Sequence, residues 1–343
     1  MHFEKHFLTT MNRCYAAASI VVDGRTRILL ATEGEGPCLA WEGPAYDRPQ
    51  TVWEGPGGTM SMVPVPGTNG EFLAVQLFLR MFQWDRAKIV HVRPLPAGGY
   101  AVSDMLHLPY IHRFDLLESG GRVHFIGGTL ADAKDSKEDW SRSGKVYVGA
   151  YEGPGPLAVR VLKEGITKNH GYSRLTRDGR PCSLVTGEEG AFEATPPAAP
   201  GAEWTLHRFM DWPISDIAAI DIDGDGELEY ATIEPFHGSH FRVWKRNGSG
   251  WALVFEHPEV SDFYHVVVAA RLRGEPVFIG GCRRGRQQLF VLRAVQRAPL
   301  VLQPQLIDEG VGPSNVHVVH EAERDLIVSA NREKAEAALY IVT

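Results

Sequence analysis

The sequence predicts an all-β fold, a seven-bladed β-propeller in which the N-terminal strand joins the last blade. Short apolar runs rich in Val, Ile, Phe and Tyr alternate with turns rich in glycine and proline, of which there are 36 and 22, and this pattern favours short strands. The runs recur in groups of four with a period of about forty to sixty residues, which is typical of propeller blades. The last group has only three strands, whereas residues 2–8 form a spare one.

Seven units account for these runs and occupy residues 14–53, 61–105, 111–162, 171–209, 217–256, 264–307 and 316–342. When the strand at 2–8 completes the seventh unit, the ring has no open edge. A pair of β-sandwiches is the alternative and would need a linker between domains. The only proline-rich candidate, 194–201, falls inside a unit, so the sequence favours one domain over residues 1–343.

Composition restricts the partners and the compartment. A formal net charge of −7 argues against nucleic acid as a partner. The four cysteines show no CxxC spacing, so they are expected to be free thiols. The N-terminus lacks a secretory apolar segment and no stretch is long enough to span a membrane. We therefore expect a cytoplasmic protein with no membrane partner, whereas its oligomeric state stays open.

An acidic, glycine-rich turn lies between the first two strands of the fifth unit. It spaces Asp221, Asp223, Asp225 and Glu229 so that several carboxylates can meet at one point, which Ca²⁺ requires. A turn of solvated acids is the alternative. The turn resembles the calcium loop of FG-GAP or VCBS-type propeller blades, and this resemblance implies a structural Ca²⁺. Propeller geometry puts the turn on the face opposite the histidines described next.

Histidines recur where the innermost strands begin, and the loops joining second and third strands open on the same face. Any single histidine could be a hydrogen-bonded core or surface residue, but imidazoles converging from separate strands suit a metal or an acid–base centre. The predicted catalytic residues are His112, His170, His265, His317 and Tyr172. The predicted axial metal ligands are His170, His237, His265 and His317. The predicted substrate contacts are His237, His240, Arg283, Arg286, Trp140, Asn315 and Arg332.

Two other loops could cover this face. The polar insertion 131–143 is long enough to reach the channel mouth, and its Trp140 could stack on a sugar ring, although a solvated excursion is the alternative. Gln83 and Trp84 occupy the corresponding loop of the second unit, where core packing is an equal explanation for the tryptophan. Cys282 beside Arg283 suggests an activated thiol only weakly, because no partner histidine is identifiable.

Three segments resemble the propeller domain of the aldos-2-ulose dehydratase family: EPFHGSHFRVW at 234–244, HRFDLL with RVHFIGGTL at 112–130, and SNVHVV at 314–319. The resemblance implies a metal-assisted lyase acting on a keto sugar or related carbohydrate, without the cupin segments of the full fungal enzyme. A non-catalytic glycan- or protein-binding propeller is one alternative. A lactonase-like hydrolase is another, with ligands to be sought in Asp216, Asn315 and Glu188.

Overall fold

The computed structural model describes residues 1–79, 84–259 and 261–343. Its strands form seven four-stranded antiparallel sheets, which confirms the predicted seven-bladed propeller. The strands are β1 (Phe3–Thr10), β2 (Cys14–Val22), β3 (Arg25–Thr32), β4 (Cys38–Glu42), β5 (Pro49–Trp53), β6 (Met62–Pro64), β7 (Phe72–Gln76), β8 (Lys88–Pro94), β9 (Tyr100–His107), β10 (Ile111–Ser119), β11 (Arg122–Thr129), β12 (Gly144–Tyr151), β13 (Arg160–Ile166), β14 (Tyr172–Arg177), β15 (Arg180–Gly187), β16 (Gly190–Thr195), β17 (Thr205–Met210), β18 (Asp216–Ile220), β19 (Glu229–Glu234), β20 (His240–Asn247), β21 (Gly250–Glu256), β22 (Tyr264–Leu272), β23 (Glu275–Cys282), β24 (Leu289–Arg297), β25 (Leu300–Asp308), β26 (Asn315–His320), β27 (Asp325–Asn331) and β28 (Glu336–Val342).

The sheets close into a ring. Each innermost strand, in the order β2, β6, β10, β14, β18, β22 and β26, contacts the next, and β26 contacts β2. The seventh sheet has the order β26-β27-β28-β1, in which Phe3 pairs with Val342 and Thr10 pairs with Glu336. The N-terminal strand therefore completes the last blade, as predicted, and fixes the two ends of the propeller together.

Blades three and six share a glycine pair that permits close packing near the axis. The motif FIGG lies one residue before the end of β11 and recurs at the same place in β23. A Cβ atom on Gly280 would lie 2.3 Å from Phe290 and 2.8 Å from Phe241 of the preceding blade. Both phenylalanines are fully buried, so this position admits no side chain without displacing the core between blades five and six.

One predicted strand differs from the observed strand. The sequence predicts that the third unit ends at residue 162, but its outermost strand, β13, continues to Ile166. The backbone N–H of Leu157 donates to the carbonyl of Met105 in the neighbouring blade. The segment just before β13 therefore contacts the neighbouring blade.

The described residues contain no helix that is long and apolar enough to cross a membrane. A short 3-10 turn, Trp84–Arg86, is the helical segment found among them. The antiparallel order of each blade places the beginning of its innermost strand beside the loop joining its second and third strands. We call the face carrying these ends the histidine face, and the acidic turn between β18 and β19 lies at the opposite end of its blade.

Candidate functional site

An axial channel runs between the innermost strands and widens towards the histidine face. Its wide end is a cavity of about 670 Å³, here called the upper cavity. Below it lies a second chamber of about 570 Å³, the lower channel, which is lined by residues of all seven innermost strands. Met60 and His265 line both spaces, so these two residues stand at the boundary between the upper cavity and the lower channel.

Three innermost strands carry the same irregularity at their second residue. The pairing register shifts across Tyr15 in β2, across His112 in β10 and across His265 in β22. A β-bulge of this kind adds an unpaired residue and redirects its side chain. All three side chains consequently meet near the axis, where the Tyr15 hydroxyl lies 3.5 Å from His112 Nε2 and 3.3 Å from His265 Nε2.

Three imidazoles form the group best placed to hold a metal ion. His170, His237 and His265 each offer a ring nitrogen, and the three nitrogens lie within 4.8 Å of one another. The Nε2 atoms of His170 and His237 are 3.2 Å apart. These residues come from blades four, five and six, so three rigid sheets fix their separation.

Burial keeps the imidazoles of this centre neutral. Desolvation lowers the pKa of His112, His170 and His265 well below the usual range. The pKa of His237 falls to about 3, because burial acts together with the charges of Arg283, Arg113 and Lys168. A neutral imidazole has a lone pair, which is the form that binds a metal or accepts a proton.

The contacts behind the three imidazoles suit metal ligands. His265 Nδ1 donates to the carbonyl of Ser314 at 2.6 Å, which leaves its Nε2 lone pair directed inward. His170 Nδ1 lies 3.8 Å from the carboxylate of Asp216 and has no hydrogen-bond partner among the described residues. A histidine ligand commonly donates its second N–H to a carbonyl or carboxylate. The donor set therefore fits a metal that accepts imidazole nitrogen.

Arg113 connects several blades beneath this centre. Its guanidinium donates to the carbonyl of Met60 at 3.1 Å and to Asn315 Oδ1 at 2.9 Å. The amide of Asn315 in turn donates to the carbonyl of Tyr15 at 2.8 Å. These bonds join blades one, two, three and seven, and they hold the backbone of Tyr15 in place. Asn315, predicted as a substrate contact, thus lines the lower channel.

Four other predicted site residues lie apart from the three-histidine group, each engaged elsewhere. His317 Nε2 lies 2.8 Å from Ser19 Oγ. Tyr172 donates to Asp115 at 2.7 Å in the lower channel. His240 contacts Glu256 at 2.7 Å, and Arg286 forms ion pairs with Glu259 and Glu309. Comparison of the blades in the sequence placed His317 at the start of its strand. The pairing of β26 with β27, however, has no bulge that would turn this side chain towards the three histidines.

The remaining predicted contacts lie at or beside the upper cavity. Arg283 lines it and pairs with Glu333 at 2.7 Å. Arg332 donates from Nε to Glu33 at 2.7 Å, and Glu33 lines the cavity. Trp140, which belongs to the insertion of blade three, also lines the upper cavity. Lys134 Nζ lies 3.2 Å from the centre of the Trp140 ring. Gln83 lies outside the described residues.

The acidic turn on the opposite face contains an internal cation. Asp221, Asp223 and Asp225 offer oxygens close enough together to share a metal. The Lys245 ammonium, however, lies 2.6 Å from Asp223, 2.7 Å from Asp225 and 2.7 Å from the buried Glu229. A calcium ion there would compete with this ammonium for three of the four predicted ligands.

Cys282 does not have the surroundings of an activated thiol. Its side chain is buried, and burial raises the pKa of the thiol. A reactive cysteine needs a lowered pKa. The adjacent Arg283 is engaged by Glu333.

Sequence reasoning missed Tyr15, Arg113, Phe236 and Glu33. Tyr15 could have been found by aligning the beginnings of the innermost strands, because Cys14-Tyr15 occupies the position of Ile111-His112 and Tyr264-His265. Phe236 adjoins His237 in the sequence, and their rings stack at 4.0 Å. No sequence signal indicated the roles of Arg113 and Glu33, because their contacts cross between blades.

No known protein family matches the chain, and no curated protein matches it either. The fold and the geometry of the site therefore carry the functional argument.

Proposed function

We propose that the protein is a metal-dependent lyase that eliminates a hydroxyl or alkoxyl group from a keto sugar bound in the upper cavity. The observation that carries the proposal is the convergence of three neutral imidazoles, His170, His237 and His265, at the inner end of a large cavity. Three nitrogen ligands favour Zn²⁺ or another first-row transition metal over Ca²⁺ or Mg²⁺, which prefer oxygen. The resemblance of residues 234–244 to the propeller domain of aldos-2-ulose dehydratase points to the same reaction class.

A metal held there would polarise a carbonyl oxygen and so acidify the neighbouring C–H bond. His112 is the residue best suited to remove that proton. It lines the upper cavity, is not one of the three grouped imidazoles, and is neutral because burial lowers its pKa. Its Nε2 atom lies 3.5 Å from the Tyr15 hydroxyl.

Tyr15 is suited to protonate the departing oxygen. Burial raises the pKa of its phenol, so the hydroxyl carries its proton at neutral pH. In the elimination the C–H bond breaks towards His112, a carbon–carbon double bond forms, and the C–O bond breaks as Tyr15 donates its proton. The imidazolium and phenolate that remain are 3.5 Å apart, so the proton can pass from His112 to Tyr15 and restore both groups.

Metal analysis and an elimination assay test this proposal together. We expect the purified protein to contain a transition metal at one equivalent. We also expect a keto sugar to yield an unsaturated ketone, detected by ultraviolet absorbance, and a chelator to abolish the reaction until metal is restored. Full activity in protein stripped of metal would contradict the assignment.

The two alternative functions make different demands on the site. The lactonase-like set is dispersed, because Asp216 and Asn315 line the lower channel whereas Glu188 pairs with Lys168. A binding module without catalysis is favoured by the aromatic side chains of the upper cavity, among them Trp84 and Trp140. Saturable binding of a keto sugar without turnover would select that second function.

A further inference from the structure

The wall of the upper cavity divides into two chemically different arcs. One arc is charged, and we call it the polar arc; Arg13, Glu33 and Arg283 of blades one and six line the cavity there, and Arg332 and Glu333 of blade seven pair with them. The other arc carries Phe78, Trp84, Trp140 and Phe236 of blades two, three and five, and we call it the aromatic arc; Lys137 and Glu138, from the same insertion as Trp140, also line the cavity. The three histidines adjoin both arcs, since Phe236 stacks on His237 and Arg283 lines the same cavity as His265.

The charges of the polar arc are paired. Glu33 lies 3.2 Å from Arg13 and accepts a hydrogen bond from Arg332 at 2.7 Å, and Glu333 lies 2.7 Å from Arg283. The arc has three guanidiniums and two carboxylates, so it carries one net positive charge although each side chain has an oppositely charged partner. Paired carboxylates and guanidiniums still have spare lone pairs and N–H groups. Such a surface offers donors and acceptors side by side, which suits hydroxyl groups because a hydroxyl can both donate and accept.

The aromatic arc presents ring surfaces instead, and the Lys134 ammonium covers one face of Trp140 at 3.2 Å from the ring centre. Phe78 and Trp84 stack with ring centres 4.5 Å apart. The rings of Trp140 and Phe236 meet edge to face with their centres 5.4 Å apart. The insertion of blade three therefore reaches the loop between β19 and β20 in blade five. A cavity of about 670 Å³ lies in the size range that accommodates drug-sized ligands. The space is therefore suited to a ligand with an aromatic part beside its hydroxylated part.

We propose that the substrate is a glycoside whose sugar faces the polar arc and whose aglycone is an aromatic ring packed on Trp140 and Phe236. This inference rests on the proposed function, since it names the group that leaves. With the carbonyl at C3 of the sugar, loss of the C2 proton and cleavage of the C1–O bond form a C1–C2 double bond. The aglycone oxygen takes up one proton, so an unsaturated keto sugar and a phenol result, with no other reactant consumed.

Binding of compounds that cannot undergo the elimination reaction tests the two arcs separately from catalysis. Methyl β-glucoside and 4-nitrophenyl β-glucoside both lack the carbonyl, so calorimetry with the metal-loaded protein measures binding alone. We expect the nitrophenyl compound to bind on the order of tenfold more tightly, because it adds an aromatic contact. Trp140→Ala should abolish this difference, whereas Trp140→Phe should retain most of it. Glu33→Gln should weaken both glucosides by the same factor.

Three results would overturn the inference: equal affinities for the two glucosides, no binding of either, or equally tight binding of 4-nitrophenol alone. A parallel assay follows nitrophenolate release from the 3-keto derivative of the nitrophenyl glucoside. If the nitrophenyl preference is present but the keto derivative is not turned over, the lyase proposal fails while the two-arc ligand stands. If the methyl and nitrophenyl keto glucosides react equally well and the two parent glucosides bind equally, the two-arc ligand fails while the lyase proposal stands.

Discussion

Tyr15 is the residue through which the histidines of different blades contact one another. Its hydroxyl reaches the Nε2 atoms of both His112 and His265, and its backbone carbonyl is held by Asn315. Because the Nδ1 atom of His265 is occupied by Ser314, Tyr15 is the donor in the contact with His265. If His265 held a metal through Nε2, the Tyr15 hydroxyl would be free to donate its proton to a bound ligand.

Removal of the phenolic hydroxyl tests this role. We expect Tyr15→Phe to lower kcat on the order of a hundredfold, the usual contribution of a general acid. Metal content and melting temperature should change little, because the ring and its packing remain. The measurement is steady-state kinetics with a keto sugar beside metal analysis of the same preparation. An unchanged kcat would remove Tyr15 from the mechanism.

The metal assignment predicts a sharp difference between histidines. His237→Ala should remove one of three nitrogen ligands and lower metal occupancy at least tenfold. His240→Ala, three residues further on and paired with Glu256 outside the group, is the matched control and should leave occupancy unchanged. Elemental analysis of both proteins after dialysis measures the effect. Equal occupancy in the two variants would show that the ion lies elsewhere.

The lowered pKa values predict a pH dependence of stability. The pKa of His317 falls to about 4 through burial and the nearby His320, whereas an unfolded histidine titrates near about 6.5. Between these values the unfolded chain binds protons that the folded chain does not. Stability therefore falls as the pH drops, by about 1.4 kcal/mol per pH unit for each imidazole that stays neutral on folding.

Thermal unfolding of metal-free protein between pH 7 and pH 5 measures this dependence. His317→Gln retains a polar group near Ser19 but cannot titrate, so the variant should lose less stability over that range. A melting temperature that is constant across the range in the unmodified chain would contradict the expected sign.

At the scale of a single element, the turn between β18 and β19 shows how a side chain can occupy a cation position. The backbone N–H groups of Gly224 and Gly226 donate to Asp221, which organises the loop. Lys245 on the neighbouring β20 supplies positive charge to the other carboxylates, and it holds the pKa of Asp225 below its usual range. The Glu229 side chain is fully buried, so losing this ammonium would leave a buried carboxylate without its cation.

This arrangement predicts an exchange between lysine and calcium. Lys245→Ala should lower stability by about 3 kcal/mol, because one partner of a buried ion pair is removed. Added Ca²⁺ should then raise the melting temperature of the variant by more than that of the unmodified chain, since the vacated carboxylates can bind it. Differential scanning calorimetry with and without Ca²⁺ measures both effects. If Ca²⁺ stabilises the unmodified chain equally, lysine and calcium do not compete.

For the whole molecule, closure of the ring decides whether the site exists. The three histidines that could hold a metal come from blades four, five and six. Tyr15 comes from blade one, and Asn315, which accepts from Arg113 of blade three, donates to its backbone carbonyl. Their relative positions depend on every blade between them. The pairing of β1 with β28 joins the segment that leads into the first blade to the last blade, beside the direct contacts of β2 with β26 and β27.

Deletion of residues 1–10 tests this dependence. The truncated chain would expose the edge of β28, and we expect lower stability and concentration-dependent aggregation. Supplying a synthetic peptide of residues 1–10 should restore part of the stability. Unfolding curves and light scattering measure both changes. An unchanged unfolding midpoint in the truncated chain would mean that the ring is held closed by the innermost strands alone.

The sequence by itself determined the blades. Period-2 apolar runs, turn residues and the missing strand of the last unit are local signals, and they located nearly every strand within a few residues. The same equivalence between blades pointed to His112, His170 and His265, because these residues recur at the start of the innermost strand.

Only the tertiary structure decided which of those residues meet. The bulges that turn Tyr15, His112 and His265 inward are differences of one residue in pairing register. No local sequence pattern indicates that the strand of His317 lacks such a bulge. The occupation of the acidic turn by Lys245, and the contacts of Arg113 and Glu33, depend on residues from different strands or blades. Their physical basis is side-chain contact across the ring, which exists only after the seven sheets have packed together.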